Sequence, residues 1–218
     1  MAQQTNGYVT LPFNTYDTYN HWREYCLTHG IDVDYTAGNQ CFDVPALLWH
    51  QYHLFLMTRP QGNGVAYMCW TISRAYNARL PFIAVEGVEN IKRGDCLVFD
   101  KNPWSSTGHI CFADDDYANK YWDDAKGCWR LKCLGQNQGQ GIAWGTPSNI
   151  SGVNLQYFLG IFRNTNWVGT APEPPKPKPL LYNRDKYNFV LYNRRKRQTK
   201  WTKTPKTKNT TKPLSKRK

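Results

Sequence analysis

The chain lacks any apolar run near the ~18 residues that a membrane-spanning helix needs, so no membrane span is expected. The first 30 residues lack the apolar stretch behind a basic start that marks a secretory leader. Seven Cys occur with no C-x-x-C pair, which argues against a zinc site or a disulfide framework and for free, reduced thiols. No long repeat is present. Leu181-Tyr182-Asn183-Arg184 returns as Leu191-Tyr192-Asn193-Arg194, and two copies are too few for a solenoid. Acidic residues are scarce, 16 against 28 Lys and Arg, for a net charge of +12.

That charge is unevenly placed. Residues 171–218 hold 16 of the 28 basic residues and only two acids, Glu173 and Asp185, a balance of +14. Residues 1–170 are left at −2 and carry the apolar and aromatic residues, enough for one domain with a real core. The expected organisation is therefore a folded domain over 1–170, a linker over 171–180 with five Pro in 171–179, and a basic tail over 181–218. With little to bury, the tail is expected to be disordered on its own. A polycation seeks phosphate-rich polymers such as nucleic acid or an anionic wall polymer. The domain has no RNP, zinc-finger or helix-turn-helix signature, so nucleic-acid binding would belong to the tail.

Apolar spacing predicts helices over 14–29, with Gly30 as the stop, and over 41–55, with Pro45 confined to the first turn. A less regular pattern suggests a third helix over 65–76, and 31–40 reads as a polar loop. Strands are expected over 96–99, 109–113, 129–134 and 157–163. Helices followed by strands predict an α+β fold with N-terminal helices on an antiparallel sheet.

Cys41 opens the second predicted helix, and His109 enters a predicted strand 68 positions later. A helix start favours a thiolate and an imidazole can take its proton, so Cys41 is the candidate nucleophile and His109 the candidate base. The Cys41 backbone N–H, with Gln40 as a second donor, would face an oxyanion. Asn137 or Gln136 could orient the imidazole. His50 and His53 flank an apolar helix face and read as packing or surface residues. Asp32, Asp34 and Asp43 surround the nucleophile and, with Gly38, resemble a calcium loop, although the twelve-residue EF-hand pattern is not met. Asp114-Asp115-Asp116 reads as a solvated turn. A buried Cys, a Gly/Gln loop and a solvated acidic loop are the plain structural alternatives.

Four segments in order resemble the CHAP family of cysteine, histidine-dependent amidohydrolases/peptidases found in phage lysins and bacterial wall hydrolases. They are Gly38-Asn39-Gln40-Cys41-Phe42-Asp43, Arg93-Gly94-Asp95-Cys96-Leu97-Val98-Phe99, Thr107-Gly108-His109-Ile110 and Phe158-Leu159-Gly160-Ile161-Phe162-Arg163. The resemblance implies a papain-like fold and cleavage of a peptidoglycan amide bond by a free endolysin or a virion-associated wall-opening enzyme. Such an enzyme would act from the host cytoplasm on the cell wall, or travel in the virion beside other virion proteins. It also implies a Ca2+ cofactor, held by Asp32, Asp34 and Asp43 with backbone oxygens of Thr36 and Gly38. Many members carry Glu two residues before the Asn, where this chain has Gly135. That departure supports an alternative: a weak or inactive CHAP-like structural or binding protein of a virion, whose tail binds nucleic acid or wall polymer.

Overall fold

The computed structural model describes residues 3–60, 64–139 and 143–167. The expected linker 171–180 and basic tail 181–218 lie outside the described residues.

Nine strands and four helices are found among the described residues: β1 Gln3–Asn6, α1 Tyr19–Thr28, β2 His29–Asp32, α2 Asp43–Gln51, α3 Met68–Thr71, α4 Arg74–Asn77, β3 Phe82–Val85, β4 Cys96–Phe99, β5 His109–Ala113, β6 Tyr121–Asp123, β7 Cys128–Gly135, β8 Asn149–Asn154 and β9 Phe158–Asn164. The main sheet has seven strands in the order β3-β9-β4-β5-β7-β6, with β8 also on β7, and every pairing is antiparallel. β1 and β2 form a separate parallel pair. The architecture is α+β with an antiparallel sheet.

Several expected boundaries move. The first helix begins at Tyr19, because Thr18 accepts the His21 N–H at 3.2 Å and so caps it. Gly30 does not stop it in a loop: the chain passes from α1 directly into β2, taking up part of the expected loop. The expected helix over 65–76 is two four-residue helices on either side of Ile72 and Ser73. β1, β2, β3, β6 and β8 were not expected. Asn149-Ile150-Ser151-Gly152-Val153-Asn154 has no clear alternation, yet it pairs with β7 over its whole length.

Strand alternation divides the core. Cys96, Val98, Ile110, Phe112, Leu134 and Phe162 face the helices and pack with Trp22, Leu47, Leu48 and Trp49. Leu97, Phe99, Cys111, Ala113, Leu131, Cys133 and Ile161 face the other way into a smaller cluster closed by Ile91 and Leu155. Carboxylates, one buried and one half-buried, tie the layers together. Asp95 takes a bidentate pair from Arg163 at 2.7 and 2.8 Å, joining β4 to β9. Asp114 is no free turn: it pairs with Arg23 of α1 at 2.7 Å and accepts from Tyr19 Oη at 3.0 Å.

Candidate active site

Cys41 lies in the turn just before α2, whose first helical residue is Asp43. The turn is built by Asp43. Its carboxylate reaches back to accept the Gln40 N–H at 2.6 Å and the Val33 N–H at 3.3 Å, which holds the incoming loop against the helix start. α2 packs on β5, and the backbone N–H of Ile110 faces the Cys41 sulfur. The thiol therefore lies beside the His109–Ile110 backbone.

Burial pushes the Cys41 thiol up to about 11. The N–H groups of Ile110, Cys41 and Phe42 favour the thiolate, while the Asp43 carboxylate opposes it. At neutral pH the resting group is the neutral thiol.

Gly108 brings His109 to this place. Its φ is +69°, and a Cβ there would sit 2.5 Å from the Phe99 carbonyl oxygen and 2.9 Å from Tyr67 Cβ. His109 opens β5 opposite Phe99 in register. By alternation it belongs to the face of Cys111 and Ala113, and its ring lies 6.5 Å from that of Phe99. Burial lowers the imidazole below its ordinary value, so the ring is neutral at neutral pH.

The imidazole is held by Gln138, at 3.0 Å between Nε2 and Oε1. Gln138 Nε2 donates to Cys133 O at 3.1 Å and to Asn149 O and Oδ1, both at 3.3 Å. Those acceptors fix the carboxamide with its oxygen toward the ring. An oxygen that can only accept requires a proton on Nε2, which leaves the lone pair of the neutral ring on Nδ1. Among the described residues no hydrogen bond joins the Cys41 thiol to the His109 ring.

The orienting group was expected at Gln136 or Asn137, whereas the side chain hydrogen-bonded to the His109 ring is Gln138. Gln136 is buried and spent on structure: its Oε1 accepts from Ile31 N at 2.7 Å, and its Nε2 donates to Ile31 O at 2.8 Å and Gln40 O at 3.1 Å. Asn137 is exposed, in a turn at φ +53°. The signal for Gln138 is the missing side chain at Gly135. A Cβ on Gly135 would lie 2.9 Å from the Gln138 carboxamide, so Gln138 fills space that a side chain at 135 would take.

Gln40 turns back into the acidic loop, its Nε2 donating to Thr36 O at 2.7 Å. The backbone donors toward the sulfur are the N–H groups of Ile110, Cys41 and Phe42. In that loop one carboxylate oxygen from each of Asp32, Asp34 and Asp43 lies within 4.8 Å of the others. Asp32 Oδ1 accepts from Tyr35 N at 2.7 Å, whereas buried Asp32 Oδ2 has no hydrogen-bond partner. Burial, with Asp34 and Asp32 adding to it, pushes Asp43 up to about 8 despite its two backbone donors. Gly38 adopts φ +74° at the loop's turn.

No family model matches the chain, and no curated protein matches it. Among solved structures, the wild-type endolysin LysIME-EF1 is similar in fold at a TM-score of 0.45 and 20% identity, over 70% of this chain and 66% of that one.

Proposed function

We propose that this chain is a cysteine hydrolase that cuts an amide bond of peptidoglycan, on a papain-like CHAP arrangement. The observation that supports the reading is the backbone N–H of Ile110, which favours the Cys41 thiolate and follows directly on His109, whose Nε2 is hydrogen-bonded to Gln138. His109 Nδ1 takes the thiol proton as sulfur attacks the carbonyl carbon. Because both groups rest neutral, proton transfer accompanies attack and does not precede it. The N–H groups of Cys41 and Phe42 receive the oxyanion, and His109 returns the proton to the leaving amine. Water then attacks the thioester with His109 again as base, releasing the acid and restoring the thiol.

The acidic loop fits Ca2+. Its donors are hard oxygens, and the orphaned Asp32 Oδ2 is a buried acceptor in need of a positive partner. Asp32, Asp34 and Asp43 would hold the ion, with backbone oxygens of Thr36 and Gly38 as further donors. A bound ion would fix the loop that leads into Cys41. Millimolar calcium is expected to raise the melting temperature and Asp32→Asn to remove the increase. An unchanged melting curve would return the three residues to a plain acidic loop.

The working reading is a phage endolysin or a virion-associated wall-opening enzyme, with the basic tail on an anionic wall polymer or nucleic acid. Digestion of purified peptidoglycan, with Cys41→Ala as control and mass spectrometry of the fragments, tests it and identifies the bond. New amino and carboxyl termini in the wild-type digest alone are expected. Identical fragments from the Cys41→Ala protein overturn the reading. A second reading, a weak or inactive virion protein of the same fold, is favoured by the raised thiol and the unformed Cys41–His109 hydrogen bond. It predicts wall binding without fragments.

A further inference from the structure

A cavity of about 360 Å3 opens on the sheet face away from α1 and α2, lined by Tyr117, Lys120, Trp122, Trp129, Asn154 and Gln156 among others. It lies about 20 Å along β7 from Gly135 at the strand rise of ~3.3 Å per residue, and so is separate from the Cys41 site. The volume is in the range of small-ligand sites.

Its chemistry is mixed. Trp129 extends the row of Leu131 and Cys133 beyond the second core, and Trp122 is its partner in register. The two indoles lie 5.6 Å apart at 72° and stay 50% and 48% exposed. A cross-strand ring pair alone would steady the hairpin. It does not account for Lys120, whose ammonium sits 4.1 Å from the Tyr117 ring centre and 5.2 Å from that of Trp129. No carboxylate pairs with it among the described residues. Nor does it account for the carboxamides. Asn154 Oδ1 is fixed by the Gln156 N–H at 2.9 Å, while Asn154 Nδ2 and the Gln156 side chain have no partner among the described residues.

We propose that this cavity is a second, non-catalytic subsite that grips pyranose rings of a glycan strand. The C–H face of a pyranose lies on an exposed indole, and its hydroxyl and acetamido groups meet Asn154 and Gln156. Lys120 meets an acidic substituent on the strand. A stacked nucleobase would also suit the indoles, but a run of phosphates needs several free cations, and the lining of the cavity offers one, Lys120. Arg130 is committed to Asp123 at 2.8 Å. The choice of a glycan rests on the cell-wall reading above; the site itself does not.

The test is a titration of the full chain carrying Cys41→Ala with chitotetraose, followed by NMR of the Trp122 and Trp129 indole N–H signals. Chitotetraose has no peptide, so its binding is independent of whether the chain cuts amide bonds, and loss of hydrolysis cannot be mistaken for loss of this site. Saturable shifts of both indoles are expected, weakened about tenfold or more by Trp129→Ala. Gln156→Ala and Lys120→Ala, which leave the ring pair intact, guard against a misfolded hairpin, and Gln156→Ala is expected to weaken binding several-fold. With Cys41 restored, Trp129→Ala is expected to cut soluble peptide fragments at the unmodified rate. Indoles unmoved by chitotetraose, affinity unchanged in both Trp129→Ala and Gln156→Ala, or displacement of these signals by a short oligo(dT) in place of the sugar would overturn the assignment.

Discussion

The two faces of the main sheet are built to different depths. The helix-covered face is packed with large rings: Trp49 stacks on Phe82 at 3.6 Å, and Phe112 and Phe162 join the same cluster. The opposite face is a smaller layer of Leu, Ile, Cys and Ala with one fully buried ring, Phe99, closed by Leu155, and beyond it the tryptophans stand open. The proposed catalytic groups come one from each side. Cys41 lies in the turn that opens α2 on the deep face, while His109 belongs by alternation to the thin one and is hydrogen-bonded to Gln138 in the turn after β7. The link between them is the Ile110 N–H, which favours the Cys41 thiolate and follows directly on His109. In the proposed mechanism the deep face fixes the nucleophile, and the thin face leaves room for a polar network around the base.

The sharpest way to break this division of labour is at the meeting point. Cys41→Ala and His109→Ala are each expected to lower hydrolysis by ~10³-fold or more, and the double variant to fall little further, because nucleophile and base act as a unit. Rates on soluble wall fragments measure this. A His109→Ala protein with most of its activity would hand the base role to another residue.

The next largest effect compares the faces in stability. Trp49→Ala is expected to cost about 3–5 kcal/mol, because it empties the ring stack and strands the Asn77 carbonyl that accepts from Trp49 Nε1. Leu131→Ala on the thin face is expected to cost nearer 2 kcal/mol. Urea titration of both proteins measures the difference. Equal costs would mean the second layer is as tightly packed as the first.

Gln138→Leu is smaller still. With no oxygen at Nε2, the ring loses both its tautomer and its orientation, and turnover is expected to fall roughly ten- to hundredfold. Gly135→Ala should act through the same contact, since its new Cβ falls 2.9 Å from the Gln138 carboxamide. Full activity in both variants would remove Gln138 from the machinery.

Those variants show where the sequence stopped being legible. The sheet strands over 96–99 and 109–113 could be read because their burial is continuous and their β-branched and aromatic content high. A helix start near Cys41 could be read from Pro45 and the polar loop before it, although the helix runs over Asp43–Gln51 and not over 41–55. β8 could not, since its residues carry no alternation and are held by pairing with β7. Nor could Gln138. A residue's reach is set by the conformation of the turn at 136–139, and spacing along the chain pointed to its neighbours Gln136 and Asn137. The aromatic cavity was hidden because Trp122 and Trp129 become partners only once β6 folds against β7.

The smallest effect is a shift in pH dependence. Burial lowers the His109 imidazole below 6.5, and the Gln138 hydrogen bond partly opposes that shift. The neutral ring is the base, so the acid limb of kcat/KM is expected below pH 6.5, where a free histidine would already be protonated. Removing the opposing bond with Gln138→Leu lets burial act alone. The acid limb should then move to still lower pH even as the maximal rate falls. The same depressed value bears on stability. The folded chain resists a proton that the unfolded chain accepts near 6.5, so this contribution is complete above pH 6.5 and is lost as pH falls through the folded value. A limb that moves to higher pH in Gln138→Leu would mean that the carboxamide, against its geometry here, favours the neutral ring. The thin face would then tune the base in the opposite sense.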